Sequence, residues 1–237
     1  MKLPKFKDMI VMENDHYIII NKPPYVSALE DRDKTKTNID EMAKAYCEGA
    51  QLCHRIDKET SGILAIAKTP EAYRNLSMQF EKREVDKVYH AIVDGTHEFD
   101  RILVDRNIAV SGRGNVRIDI EGKPAQTKFM TLEIFRNHSL VACKPVTGRM
   151  HQIRIHLAYL GAPISADELY GGQLPYLSQL KRKFNLKKGT IEEPLMKRVA
   201  LHARELHFLD VDGTEVHVEA EYPKDFRAYL RQLEKSV

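Results

Sequence analysis

The sequence predicts an α+β fold. Short strand-like runs outnumber helical ones, and strands and helices do not alternate as βαβα units would. The stretch from Arg101 to Ala142 is cut by turn residues at Gly112, Gly114, Gly122-Lys123-Pro124 and Asn137-His138, which is the pattern of an antiparallel meander. A chain of 237 residues buries enough apolar surface to fold without staples, so stability requires neither disulfide nor cofactor.

Taken in order, Tyr17 to Asn21 reads as a strand that Pro23-Pro24 stops, because proline cannot continue a sheet ladder. Ile39 to Ala45 suits a helix capped by Asn38. Ile63 to Ala67 is short, apolar and bounded by Gly62 and Pro70, which predicts a buried strand. Thr69-Pro70-Glu71 then starts a helix, with Thr as N-cap, Pro at the first helical position and an acid in the first turn. Tyr73, Leu76 and Phe80 are spaced to form its core face. Lys87 to Val93 returns to strand character, with Tyr89, Ala91 and Val93 on one face. Val116 to Ile120, Lys128 to Phe135 and Ser139 to Cys143 supply the meander. HQIRIHLAYLG reads as a helix on the spacing of Ile153, Leu157 and Leu160, stopped by Gly161 and Pro163. Leu201 to Phe208 and Glu215 to Ala220 add two further strands.

Charge and cysteine usage narrow the class. Thirty-seven Lys and Arg against 34 Asp and Glu give a net charge of +3, and KRKFNLKK at 181–188 concentrates five basic residues in eight. Read alone, that run is a solvated helix face and only weak evidence for an anionic partner. Cys47, Cys53 and Cys143 are odd in number and lack the paired spacing of a zinc or redox motif, which fits a reducing compartment. MKLPKFKDMIVMEND has no apolar stretch of signal-peptide length, and no segment approaches a membrane span. The expectation is a cytoplasmic protein.

Several chemistries are excluded by spacing. His151 and His156 are five residues apart, which on a helix turns them onto different faces and argues against a zinc pair. SGRGN at 111–115 lacks the Lys-Ser/Thr ending of a phosphate loop, and Ser61-Gly62 lacks the preceding glycine of a nucleophile elbow. What remains is a crowd of polar residues in HRIDKET at 54–60, with a counterpart in VTGRMHQIRIH at 146–156. An Asp facing an Arg is held ionised and suits a nucleophile or base, although a structural ion pair has the same composition.

Together the two segments resemble the RluA family of RNA pseudouridine synthases. HRIDKETSGILAIAK is similar to that family's HRLD-x-x-TSG-x-L-x-x-AK signature, and TGRMHQIRIHLAYLGAPISADELYGG to its TGRTHQIRVH...GHPI.GD..YGG signature. INKPPY, KVYHAIVDG at 87–95 and ALHARELHF at 200–208 follow in family order, so the resemblance runs from about residue 15 to residue 226. It implies a pseudouridine synthase catalytic fold: a mixed, mainly antiparallel bisected sheet with flanking helices and a central basic cleft. It implies a single catalytic domain over 1–237 without a separate N-terminal RNA-binding domain.

The implied activity is isomerisation of specific uridines in structured rRNA or tRNA, with no cofactor and no metal. Asp57 would be the catalytic carboxylate, Tyr89 would stack on the target base, and Arg154 would pair with Asp57. Arg55 would enter the RNA in place of the extruded uridine. His54, Thr60, Arg149, His151 and Gln152 complete the implied RNA contacts, with Lys181, Arg182 and Lys183 extending the basic surface. Four features depart from the family pattern: Met150 replaces Thr or Ser, Tyr25 stands where glycine is common, SADELYGG alters the approach to Asp167, and the first strand lies close to the start of the chain. The competing reading is a noncatalytic RNA-binding or RNA-folding protein on the same scaffold. The absence of heptads or an unusually apolar face favours a monomer.

Overall fold

The computed structural model describes residues 3–30, 37–112, 114–181, 184–186 and 189–236. Its elements are β1 (Ile10–Glu13), β2 (Tyr17–Lys22), α1 (Ile39–Tyr46), β3 (Gln51–Leu52), β4 (Ser61–Ala67), α2 (Pro70–Lys82), β5 (Asp86–Asp94), β6 (Ile102–Asp105), β7 (Ile108–Val110), β8 (Val116–Ile118), β9 (Gln126–Ile134), β10 (His138–Pro145), α3 (Gln152–Tyr159), α4 (Leu177–Leu180), β11 (Leu201–Leu209), β12 (Glu215–Glu219) and α5 (Lys224–Glu234). Strands and few helices mix without βαβα alternation, as the α+β reading predicts. No described helix is long and apolar enough to cross a membrane.

The chain divides into two compact units, 1–88 with 202–222, and 89–201 with 223–237. Each draws on two separate stretches of chain, so no single linker divides them.

In the first unit β4 is central. It pairs antiparallel with β2 and β3 and parallel with β11, while β1 extends β2 and β12 forms a hairpin with β11. All seven β4 residues are buried, which accounts for its continuous apolar run: both faces are covered. Ile63, Ala65 and Ala67 pack with Tyr17, Ile19, Leu76 and Phe208, whereas Leu64 and Ile66 pack with Ile18, Ile20, Ile39 and Ala43. The two flanking helices start as predicted. The Asn38 side chain accepts from the Glu41 N–H, and Thr69 accepts from the Ala72 N–H ahead of Pro70.

One expectation for α2 needs correcting. Tyr73 is exposed, and the buried positions are Ala72, Leu76 and Gln79. Gln79 displaces an apolar residue because its amide bonds the Leu209 backbone in both directions, donating to the carbonyl at 2.7 Å and accepting from the N–H at 2.9 Å.

In the second unit β5, β10, β9 and β6 pair antiparallel in that order and β7 and β8 form a separate two-stranded ribbon, so the expected meander is not formed: Val116–Ile118 pairs with β7 rather than β9, and of the four sheet strands just β9 and β10 are paired neighbours that are adjacent in sequence as well. Ile108, Val116, Ala125 and Ile155 pack together and bring the ribbon against α3. Helix α5 buries Phe226, Tyr229 and Leu233. Of the basic run at 181–188, Lys181 and residues 184–186 carry no regular secondary structure, so the expected helix face is not formed there; Arg182 and Lys183 lie outside the described residues.

Candidate active site

The first unit holds His54, Arg55, Asp57 and Thr60 in the loop that leads from β3 into β4. Burial alternates along it: Arg55 is exposed, Ile56 is buried as an anchor, Asp57 is half-buried and Thr60 is buried. The Thr60 N–H donates to the Asp57 carbonyl at 3.1 Å, closing a turn. His54 is tied to the strand, since its Nε2 accepts the Ala65 N–H at 3.0 Å and its ring lies 4.9 Å from that of Phe80. Burial pushes the His54 pKa down to about 3, with the Lys87 charge acting in the same direction. A neutral imidazole whose Nε2 is engaged by backbone offers no positive charge to a phosphate.

A buried cation fixes this loop from the other side. Lys22 has no exposed surface, and its ammonium donates to the carbonyls of Pro23 at 3.0 Å, Val26 at 2.9 Å and Lys58 at 3.2 Å. Three carbonyl dipoles replace the water an ammonium would otherwise need. The Tyr25 N–H adds a second link to the Lys58 carbonyl, at 2.8 Å. The residue after Asp57 is therefore bonded twice to the INKPPY segment.

Entry into β4 is equally constrained. His202 donates from Nε2 to the Ala220 carbonyl at 3.1 Å, leaving Nδ1 to accept the Ser61 hydroxyl at 2.9 Å. The parallel register places His202 beside Ser61 and Ala203 beside Gly62. Gly62 has φ +114°, and a Cβ there would lie 2.1 Å from the Ala203 carbonyl oxygen.

The second unit carries Tyr89, Arg149, His151, Gln152 and Arg154. Tyr89 is half-buried on β5, opposite Cys143 of β10. Arg154 forms a two-point ion pair with Asp167: Nε donates to Oδ2 at 2.7 Å and Nη2 to Oδ1 at 2.6 Å. Its guanidinium carbon also sits 5.0 Å from the centre of the Tyr170 ring. The Tyr170 hydroxyl is 2.9 Å from Nδ1 of His151, so Arg154 and His151 are brought together through one tyrosine.

Gln152 has a framework role. It is 3% exposed; its carbonyl oxygen accepts from the Thr147 hydroxyl and the Arg149 N–H, and its amide nitrogen donates to the Gln126 carbonyl and the Thr127 hydroxyl. These four bonds hold the turn before α3 against β9 and leave Arg149 half-buried, its Nε on the Pro124 carbonyl. His156 is likewise engaged at both nitrogens, by the Thr127 hydroxyl and the Arg106 carbonyl.

Asp167 and Tyr170 were not assigned a role by sequence reasoning. Their segment is closed by Ala166 N–H to Gln173 carbonyl, and by Tyr170 and Gly172 N–H groups on the Asp167 carbonyl. A Cβ at Gly172 would lie 1.9 Å from the Ile164 carbonyl oxygen. Asp94, at the end of β5, takes the Ser165 hydroxyl at 2.5 Å and the Gln173 N–H at 2.8 Å. The strand that carries Tyr89 thus clasps the segment that holds Arg154. The visible signal was the ADELYGG string itself, and for Lys22 the NKPP string.

Comparison with known proteins decides the family. The model for RNA pseudouridylate synthase matches residues 16–159. The chain belongs to the RluA family of RNA pseudouridine synthases. A ribosomal large subunit pseudouridine synthase C from Vibrio vulnificus (strain CMCP6) is 34% identical over 241 residues, covering 100% of this chain and 70% of that protein. The Escherichia coli (strain K12) protein of the same name is 34% identical over 240 residues, with 98% and 72% covered. Human RNA pseudouridylate synthase domain containing 1 superposes with a TM-score of 0.70 at 26% identity over 94% of this chain and 87% of that one. Human RNA pseudouridylate synthase domain containing 4 shares the fold, with a TM-score of 0.73 at 24% identity over 97% and 94%. As an RNA pseudouridine synthase, the chain is an isomerase whose substrate is RNA.

Proposed function

We propose that this synthase isomerises a uridine of large-subunit ribosomal RNA, with Asp57 as the catalytic carboxylate. The names of the bacterial relatives support the ribosomal substrate. The observation that carries the role of Asp57 is its presentation: a half-buried carboxylate on a turn pinned by Ile56, by its own carbonyl and by the Lys22 and Tyr25 bonds to Lys58. Such rigidity suits a group that must meet one substrate atom at a fixed place.

In the proposed reaction Asp57 assists breakage of the bond between uracil N1 and ribose C1′. The uracil then turns, C5 bonds to C1′, the C5 proton leaves and N1 gains a proton, so the sum is an isomerisation without a redox change. Tyr89 stacks on the target base, Arg55 fills the gap it leaves, and Arg154 is held in place by Asp167 and Tyr170. Arg149 and Lys181 bind the phosphate backbone. A monomer in the cytoplasm, built as one catalytic domain, completes the reading.

The test is tritium release from ribosomal RNA made with uridine labelled at carbon 5. Wild type should release label and Asp57→Ala should release none. Release that survives the substitution overturns the role of Asp57, and release only from tRNA overturns the ribosomal substrate. RNA binding without any release would favour the noncatalytic reading.

A further inference from the structure

The turn that binds Lys58 carries a residue whose backbone and side chain conflict. Tyr25 has φ +69°, a left-handed conformation in which a Cβ is disfavoured and glycine is the natural occupant. It follows Pro23-Pro24, where such a turn asks for glycine at its third position. Glycine is also what the resemblance places there. This chain instead keeps a large aromatic ring, 48% exposed, on a backbone that cannot relax, because the Tyr25 N–H is held by the Lys58 carbonyl and the adjacent Val26 carbonyl by the Lys22 ammonium. The ring keeps about half of its surface open while the backbone beneath it is strained. That combination is a mark of a binding residue.

We infer that Tyr25 is a stacking platform for an RNA base flanking the target uridine, and so a substrate-binding and specificity-determining residue. The inference rests on Asp57 being the catalytic carboxylate. Extruding a uridine unstacks its neighbours, and an unstacked base finds a partner in an exposed aromatic face. Tyr25 is tied by one backbone bond to the residue next to Asp57, which places its backbone against the loop that carries the proposed catalytic carboxylate. No charge is needed for this contact, since every base has a face that can stack.

The test compares wild type with Tyr25→Phe, Tyr25→Leu and Tyr25→Gly, using label release, filter binding of the same RNA and thermal melting. Loss of one base–aromatic stack should raise KM and Kd by about 5- to 150-fold in the Leu and Gly variants. The kcat should change by less than about twofold, because stacking acts equally on bound substrate and transition state. Tyr25→Phe should match wild type. The melting temperature of Tyr25→Gly should stay level or rise, since the strain is gone, and the salt dependence of binding should be unchanged, since no phosphate contact is lost. A Gly variant with wild-type KM, a Phe variant as weak as Gly, or a KM defect that tracks a lowered melting temperature would each overturn the inference. Absence of label release from wild type marks failure of the proposed function instead, and binding then still reports on Tyr25.

Discussion

His54 links the candidate site to pH. Its Nε2 accepts a backbone N–H, so protonation there would break that bond as well as place a cation against Phe80 and near Lys87. Its pKa falls from the ordinary 6.5 to about 3, burial being the larger cause. Between those values the unfolded chain binds a proton that the folded chain refuses, so stability rises with pH and is lost as pH falls. The slope is about 1.4 kcal/mol per pH unit, or about 2 kcal/mol between pH 6.5 and pH 5. For a chain of this size that is about 4–8 °C in melting temperature. Burial also lowers the pKa values of His138 and His156, so wild type alone would report a sum. His54→Gln isolates one member, because glutamine can still accept the Ala65 N–H but does not titrate. Urea unfolding at pH 7 and pH 5 should show wild type losing about 2 kcal/mol more than the variant. Equal losses would refute the assignment of a neutral His54.

Two further substitutions probe the frame on either side. Asp167→Asn replaces the carboxylate that meets the Arg154 guanidinium, only 11% exposed, at two points; breaking such a pair costs about 3–5 kcal/mol, so melting should fall by about 6–20 °C, and a fall below about 2 °C would show the pair to be dispensable. Gly62→Ala must separate β4 from β11, because the new methyl would meet the Ala203 backbone at 2.1 Å; urea titration should show a loss above about 4 kcal/mol, and near-wild-type stability would refute that close approach.

What the sequence made legible was local. Asn38 and Thr69-Pro70 start helices through bonds within one turn, and β4 reads as a buried strand because burial on both faces leaves no polar alternation. What it hid depends on partners far along the chain. Gln79 looks like a surface residue of α2 until the Leu209 backbone arrives 130 residues later. Lys22 has the composition of a solvated lysine, and its burial depends on the chain folding back to bring the Pro23 and Val26 carbonyls, and one 36 residues away, to its ammonium. Arg154 was matched by resemblance to Asp57, while the carboxylate holding it within its own unit is Asp167, 13 residues on.

The same contrast reorders the motifs themselves. HRIDKETSG and TGRMHQIRIH look like dense sets of reagents, but burial and hydrogen bonding divide them. His54, Ser61, Gln152 and His156 engage backbone or buried hydroxyl groups, and His202 does the same for the strand beside β4. These residues hold two loops in shape. Arg55 is exposed, and Asp57 on the same loop and Arg149 and His151 before α3 are half-buried. A motif of this kind is mostly scaffold, because a carboxylate or guanidinium placed within a fraction of an ångström needs several satisfied polar neighbours to keep it there. Substitutions among the scaffold residues should therefore show first in stability, and those among the reagents first in turnover.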